Sequence, residues 1–213
     1  MRYVAIAIAL WMTFFAVNAQ GRMTEGSVGM MADLLQDDLS TYLEGGQAVF
    51  SADWERMATP WTTDQEIGIR YSRGTVAADN FYGSKTIFLQ GHYLSAENWI
   101  GDSYRVQMAL VVAVVDRSDS AFLQDATNGS IVRMACRSTG KEFEFVYLDH
   151  CQSQQFAMAE LVQKEMAIAV KRRSPADMKL IDAAAAFDRK IPANDPCRNT
   201  MGGCIEMMHG ALR

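Results

Sequence analysis

The chain has 213 residues, with 20 Lys and Arg against 25 Asp and Glu, which gives a formal net charge of −5 at pH 7. This length allows one domain with embellishments or two small domains. The acidic balance argues against nucleic acid as a partner, since phosphate backbones select clustered Lys and Arg.

The first 19 residues predict a signal peptide. Met1-Arg2-Tyr3 carries one positive charge, the run 4–17 is apolar, and Val17-x-Ala19 supplies small side chains before a cleavage point. We expect cleavage after Ala19 and a periplasmic or secreted protein. An uncleaved membrane anchor is the alternative, although a spanning helix needs about 20 apolar residues. No other segment of the sequence is apolar enough to span.

Helices are predicted in the next two segments. Residues 20–62 form an N-terminal helical segment, with a helix over 24–45 that Gly45-Gly46 ends. Thr63-Asp64-Gln65-Glu66 then has the form of a capping box and predicts a helix that continues to about Tyr82, through Gly74.

The middle of the chain changes to the period of β-strands. Strands are predicted over 85–94, 104–115, 131–137 and 142–148, the last two joined around Gly140. In the second strand, alternate apolar residues from Tyr104 to Val114 indicate a half-buried face. Several strands within about 65 residues predict a small barrel or sandwich.

The tail returns to helix over 153–213, as a C-terminal extension with a cysteine loop. A helix is predicted over 154–170, and Ser174-Pro175 predicts the start of another, with Leu180, Ile181, Ala184 and Phe187 on its buried face. We expect Pro192 and Pro196 to end it.

Four cysteines remain after the leader, and an even number in an exported chain predicts disulfide bonds. Of the three possible connectivities we favour Cys136–Cys151 and Cys197–Cys204, because each pair is close in sequence. A metal site is the alternative, but the CxxC spacing typical of such sites is missing. We therefore expect no metal and no cofactor.

Residues 65–152 resemble the tRNA_anti-like family of bacterial OB-fold proteins, which are often exported. Ala78, Asp79, Tyr82 and Lys85 match its Ala-Asp-x-x-Tyr signature and following Lys, and the run from Val146 to Cys151 is similar to its terminal strand. The sequence departs from the family at Gly74, where Asn is common, and over 115–129. The resemblance implies an α+β fold with a five-stranded OB-like barrel at 63–152, and it implies no reaction.

The candidate ligand-binding residues lie on this barrel. Phe88, Gln90 and His92 share one face of their strand, and Arg105 carries a positive charge on the next strand. Asp149-His150-Cys151 could suggest a Cys-His nucleophile, but adjacent strand residues point to opposite faces, and a disulfide at Cys151 is the stronger interpretation. No catalytic motif is present.

The sequence therefore predicts a non-enzymatic binding module of the bacterial envelope that contacts a protein partner or a small ligand. The alternative is binding of single-stranded nucleic acid or an anionic glycan on the barrel face, which would need a positive stripe along His92 and Arg105. A hydrolase has no supporting motif.

Overall fold

The computed structural model describes residues 23–142, 144–199, 203–205 and 207–208. The chain divides into two compact units, described here one at a time. The sheet unit consists of Ser40–Ala48 and Ala52–Leu161, and the helical unit takes in the described residues of Met1–Leu39, Val49–Ser51 and Val162–Arg213. The predicted signal peptide, residues 1–19, lies outside the described residues. Within them, no helix combines the length and the apolar character needed to cross a membrane.

The sheet unit contains one seven-stranded mixed sheet in the order β1-β2-β6-β7-β5-β4-β3. β1 pairs with β2, and β5 with β7, in parallel, whereas the other neighbours are antiparallel. The strands are β1 Thr62–Thr63, β2 Ile87–His92, β3 Ser95–Trp99, β4 Ser103–Gln107, β5 Val111–Asp116, β6 Ile131–Glu142 and β7 Phe145–Ser153.

This sheet corrects the predicted fold. The chain is α+β overall, but the five-stranded OB-like barrel is wrong, because the seven strands form an open sheet with β1 and β3 at its edges. The predicted strand 104–115 is two strands, β4 and β5, joined by a turn at residues 108–110. Met108 and Leu110 continue the alternation of β4 into the turn, so the sequence pattern hides the break. Asp64 holds the turn by accepting a hydrogen bond from Ala109 N at 3.1 Å.

Two more strand predictions differ from the structure. Every residue of β3 is exposed, so its sequence carries no apolar period and the strand was not predicted. Gly140 lies inside β6 with φ +107°, beside a register shift between Ser138 and Gly140, and the hairpin turns only after Glu142. A glycine read as a turn is here the residue that permits a bulge.

The helices agree more closely with the sequence. They are α1 Glu25–Leu43, α2 Trp54–Met57, α3 Asp64–Arg73, α4 Thr75–Tyr82, α5 Gln154–Arg172 and α6 Pro175–Lys190, with short 3₁₀ segments at Arg117–Leu123 and Pro196–Asn199. The capping boxes at Thr63 and Ser174 are both formed. The predicted helix from Thr63 to Tyr82 is interrupted at Gly74, whose extended backbone (φ 170°, ψ 108°) separates α3 from α4.

One face of the sheet carries the core of the sheet unit. Its strands contribute alternate apolar side chains, and α3 and α4 add Ile67, Tyr71, Ala78 and Tyr82. The Tyr71 and Tyr82 rings stack with centroids 6.0 Å apart. Burial raises the pKa of Tyr71 to about 12, and its hydroxyl donates to Asp79 Oδ1 at 2.9 Å. The strand residues of this core are Ile87, Leu89, Val106, Val111, Ala113, Val115, Val132, Met134, Cys136, Val146, Leu148 and Cys151.

The helical unit buries ionic groups as well as apolar ones. The predicted apolar face of α6 (Leu180, Ile181, Ala184 and Phe187) is buried. Glu165 and Asp177 are also buried, and Arg172 contacts both carboxylates.

Each unit contains one disulfide bond, with the pairing favoured from the sequence. Cys136–Cys151 joins β6 to β7 in the sheet unit, and Cys197–Cys204 closes the loop after α6 in the helical unit. All four thiols are therefore used, and no cysteine is free.

Candidate functional site

A polar cleft of about 230 Å³ lies on the face of the sheet opposite the apolar core, which we call the outer face. We call it the Arg137 cleft. Its lining residues come mainly from β6 and β7, with one residue before β2 and one from α5: Thr86, Ala135, Cys136, Arg137, His150, Gln152 and Glu160. Pockets for drug-sized ligands measure roughly 300–1,000 Å³, so this cleft fits a smaller molecule.

Strand alternation places Arg137 at the cleft. In β6, Val132, Met134 and Cys136 belong to the core, so the residues between them point outward. Arg133 and Arg137 are both exposed on this outer face. Arg133 packs over the Trp61 ring, with Cζ 5.2 Å from the centroid. Among the residues that the structure describes, no carboxylate pairs with the Arg137 guanidinium.

A bulge in β7 brings His150 to the same cleft. His150 has φ +46°, in the left-handed region that non-glycine residues adopt uncommonly, and the β6–β7 register shifts between Ala135 and Arg137. Bulges of this kind re-aim a side chain within a sheet. The His150 imidazole lies 3.8 Å from the Asp149 carboxylate. The neighbouring Cys151 is bonded to Cys136, so Asp149-His150-Cys151 contains no thiol that could act as a nucleophile.

Gln152 and Glu160 add an amide and a carboxylate to the lining of the cleft. Gln152 Nε2 donates a hydrogen bond to Glu160 Oε2 at 2.8 Å. Asp119, in the 3₁₀ segment, has a pKa raised first by burial and then by the negative charges of Asp116 and Glu160. The lining of the cleft therefore combines a cation with hydrogen-bond acceptors.

The structure does not bring the predicted ligand-binding residues together. Phe88, Gln90 and His92 share the outer face of β2, but Phe88 has no exposed surface and packs edge-on against Trp61, with centroids 5.4 Å apart. His92 is exposed, with Nδ1 3.2 Å from Gly129 O. Arg105 lies on β4, and β6, β7 and β5 separate it from β2 in the sheet order.

Arg105 is also engaged by its neighbours. Its guanidinium pairs with Glu97 at 3.3 Å and lies 4.9 Å from the Trp99 centroid. The positive stripe that the alternative function would need along His92 and Arg105 is therefore interrupted. The ligand-binding role of these four residues stays a prediction.

Sequence reasoning missed the Arg137 cleft for two reasons. The alternation in residues 131–137 predicts that Arg133 and Arg137 share one face of the strand, but it does not indicate that a cleft lies beside Arg137. The position of His150 depends on a bulge, for which no residue in Leu148-Asp149-His150 gives a sequence signal.

The chain was also compared with known proteins. No protein-family model and no curated protein matches it. Among solved structures, it is similar to a protein of Klebsiella pneumoniae titled a "putative nucleic acid-binding lipoprotein", with a TM-score of 0.37 and 15% identity over 43% of this chain and 90% of that one. Similarity of this size does not establish a shared fold.

Proposed function

We propose that this protein is an exported, non-enzymatic binding protein of the bacterial envelope that holds a small polar ligand in the Arg137 cleft. The leader-like residues 1–19 support export, and the two disulfide bonds fit an oxidising compartment such as the periplasm. The ligand, rather than an envelope protein partner, is favoured because the outer face is concave at this point.

One observation carries the proposal. Arg137 presents an exposed guanidinium at a polar cleft, and no described carboxylate neutralises it. Elsewhere in the sheet unit, Arg105 and Arg117 are paired with Glu97 and Asp102. A cation left without an internal partner at a concavity is available to an anionic group from outside, and guanidinium groups match carboxylate and phosphate geometry.

The side chains that line the cleft define the ligand. Arg137 binds a carboxylate or a phosphate, and the ring nitrogens of His150 add a hydrogen-bonding group beside it. Glu160 and Gln152 accept hydrogen bonds from hydroxyl or amine groups. The expected ligand is therefore a small molecule with one anionic group and several hydroxyl or amine groups. No covalent step is assigned to it, since Cys151 is in a disulfide bond.

The test uses D-glucuronate, which carries one carboxylate and several hydroxyl groups, with D-glucose as the uncharged comparison. Isothermal titration calorimetry should show that the purified protein binds glucuronate and binds glucose more weakly. Arg137→Gln should lower the affinity for glucuronate by about tenfold, because a hydrogen bond to a charged group is lost.

Arg133→Gln is the matched control. It removes the same type of side chain from the same face of the same strand, outside the cleft lining, and should leave the affinity unchanged. Equal affinity of Arg137→Gln and the unmodified protein, or no binding of glucuronate by the unmodified protein, would contradict the proposal.

A second candidate, an anionic chain on the outer face, rests on the pair Arg133 and Arg137. At about 3.3 Å per residue they lie about 13 Å apart along β6, a spacing that a chain with repeated charges can span. An oligonucleotide of deoxythymidines is the probe. Binding that weakens steeply with salt and falls in both arginine variants would favour this candidate.

A further inference from the structure

In the sheet unit, two basic side chains near α3 and α4 contact one aromatic ring. Arg70 Cζ lies 4.0 Å from the Phe81 centroid, and Lys85 Nζ lies 4.4 Å from the same centroid. Both contacts are within the roughly 6 Å range of cation–π attraction, and the two cations are therefore at most about 9 Å apart. Two like charges this close repel each other, and an anion that contacts both would offset the repulsion.

The acidic residues nearby are already engaged. Glu66 is one turn before Arg70 in α3, but its Oε2 accepts hydrogen bonds from Thr63 N at 2.7 Å and from Thr62 Oγ1 at 3.2 Å. These hydrogen bonds, that from the Thr63 backbone first, lower the pKa of Glu66, and the positive charge of Arg70 lowers it further, so the carboxylate stays charged in its capping role. Asp79, in α4, accepts the hydrogen bond from Tyr71. Within the described residues, neither Arg70 nor Lys85 has an ion-pair partner.

The aromatic residues fix the position of the cations. Phe81 packs edge-on against Tyr82, with centroids 4.9 Å apart and the planes at 87°. Tyr82 is buried in the core, so it gives the Phe81 ring a fixed surface to pack against. Arg70 Cζ also lies 5.7 Å from the Tyr82 centroid, so the guanidinium contacts two aromatic rings. The cations are thus held in place before any ligand binds, which reduces the entropy lost on binding.

From this geometry we propose that Arg70 and Lys85 form a binding site for a phosphoryl group. A phosphate carries up to two negative charges and several acceptor oxygens, so one such group can contact two neighbouring cations. Arg70 supplies the planar donor set and Lys85 a compact charge. The site is separate in residues from the Arg137 cleft, and it does not depend on the function proposed for that cleft.

The phosphoryl group could belong to a soluble molecule or to a lipid headgroup, and two probes distinguish these sources. The first is inorganic phosphate, measured by isothermal titration calorimetry. The second is a vesicle of phosphatidylglycerol in phosphatidylcholine, compared with phosphatidylcholine alone in a co-sedimentation assay. Binding of inorganic phosphate indicates a soluble source, and binding only to the anionic vesicle indicates a headgroup.

Arg70→Gln and Lys85→Gln should each weaken the observed binding by about tenfold, the loss of one charged hydrogen bond. Arg73→Gln, in the same helix but without a contact to Phe81, should leave it unchanged. Circular dichroism checks that each variant is folded. The proposal is overturned if neither probe binds, if Arg70→Gln and Lys85→Gln leave binding unchanged, or if Arg73→Gln weakens binding as much as they do.

Discussion

Arg172 in the helical unit and Arg137 in the sheet unit have opposite surroundings. In the helical unit, Arg172 donates to Asp177 through Nε at 2.8 Å and Nη2 at 2.7 Å, and it reaches Glu165 at 3.3 Å. In the sheet unit, Arg137 is exposed at a polar cleft and has no described ion-pair partner. Arg172 compensates carboxylates that the fold has buried, whereas Arg137 is held in place by a strand whose core lies on the other face.

This contrast distinguishes an arginine that stabilises the fold from an arginine that is available to a ligand. Removing a partner from a buried ionic cluster leaves an uncompensated charge inside the protein, which costs several kcal/mol. Removing a solvated side chain from the outer face changes stability by less than about 0.5 kcal/mol. A variant series across the two units therefore distinguishes residues that stabilise the fold from residues that bind.

The largest effect is expected for Arg172→Met. The substitution leaves the side chains of Glu165 and Asp177, each 1% exposed, without their shared cation. The free energy of unfolding should fall by about 3–5 kcal/mol, as measured by urea denaturation followed by circular dichroism. Lys171→Met, at the exposed neighbouring position, is the control. If Arg172→Met is no more destabilising than Arg137→Gln, the contrast between these two arginines is wrong.

The disulfide bonds should rank next. Cys136 and Cys151 are 15 residues apart and Cys197 and Cys204 are 7 apart. Chain entropy predicts losses of roughly 3 and roughly 2 kcal/mol when each pair is replaced by serine. Urea unfolding of the two double variants measures both values. A larger loss for the Cys197 and Cys204 pair would show that loop entropy does not control the difference.

A smaller effect is expected from pH in the helical unit. Hydrogen bonding to Arg172 holds the pKa of Asp177 at about 2, below its ordinary 3.8. Because the folded state favours the charged carboxylate, this stabilisation is present above pH 4 and is lost as the pH falls towards 2. It amounts to roughly 2 kcal/mol.

Asp177→Asn measures this contribution. The difference in unfolding free energy between the unmodified protein and the variant should shrink by roughly 2 kcal/mol from pH 5 to pH 2. Asp182→Asn, an exposed position of the same helix, should show a constant difference. A constant difference for Asp177→Asn as well would exclude the ion pair as the cause.

The sequence predicted local structure better than topology. Thr63 and Ser174 predict the starts of their helices, because a capping box is complete within four residues. The split between β4 and β5 could not be predicted, since Met108 and Leu110 keep the strand period through the turn. β3 could not be predicted either, because it has no apolar face. Only its pairing with β4 defines it as a strand.

The candidate site shows the same division. The outward position of Arg137 follows from alternation in a strand that the sequence did predict. Its lack of a partner does not, because that depends on which carboxylates the neighbouring strands bring near. Asp149 is aligned with Arg137 in the register, yet its carboxylate lies 3.8 Å from the His150 imidazole. That arrangement follows from the β7 bulge, and only the three-dimensional structure shows it.

The most direct test of the central claim is a titration of the ¹⁵N-labelled protein with D-glucuronate, followed by NMR. The Arg137 cleft predicts saturable shifts at Thr86, Arg137, His150 and Gln152, retained in Arg133→Gln and lost in Arg137→Gln. Shifts that are absent, lie elsewhere in the sheet unit, or persist in Arg137→Gln would show that Arg137 is not a binding residue.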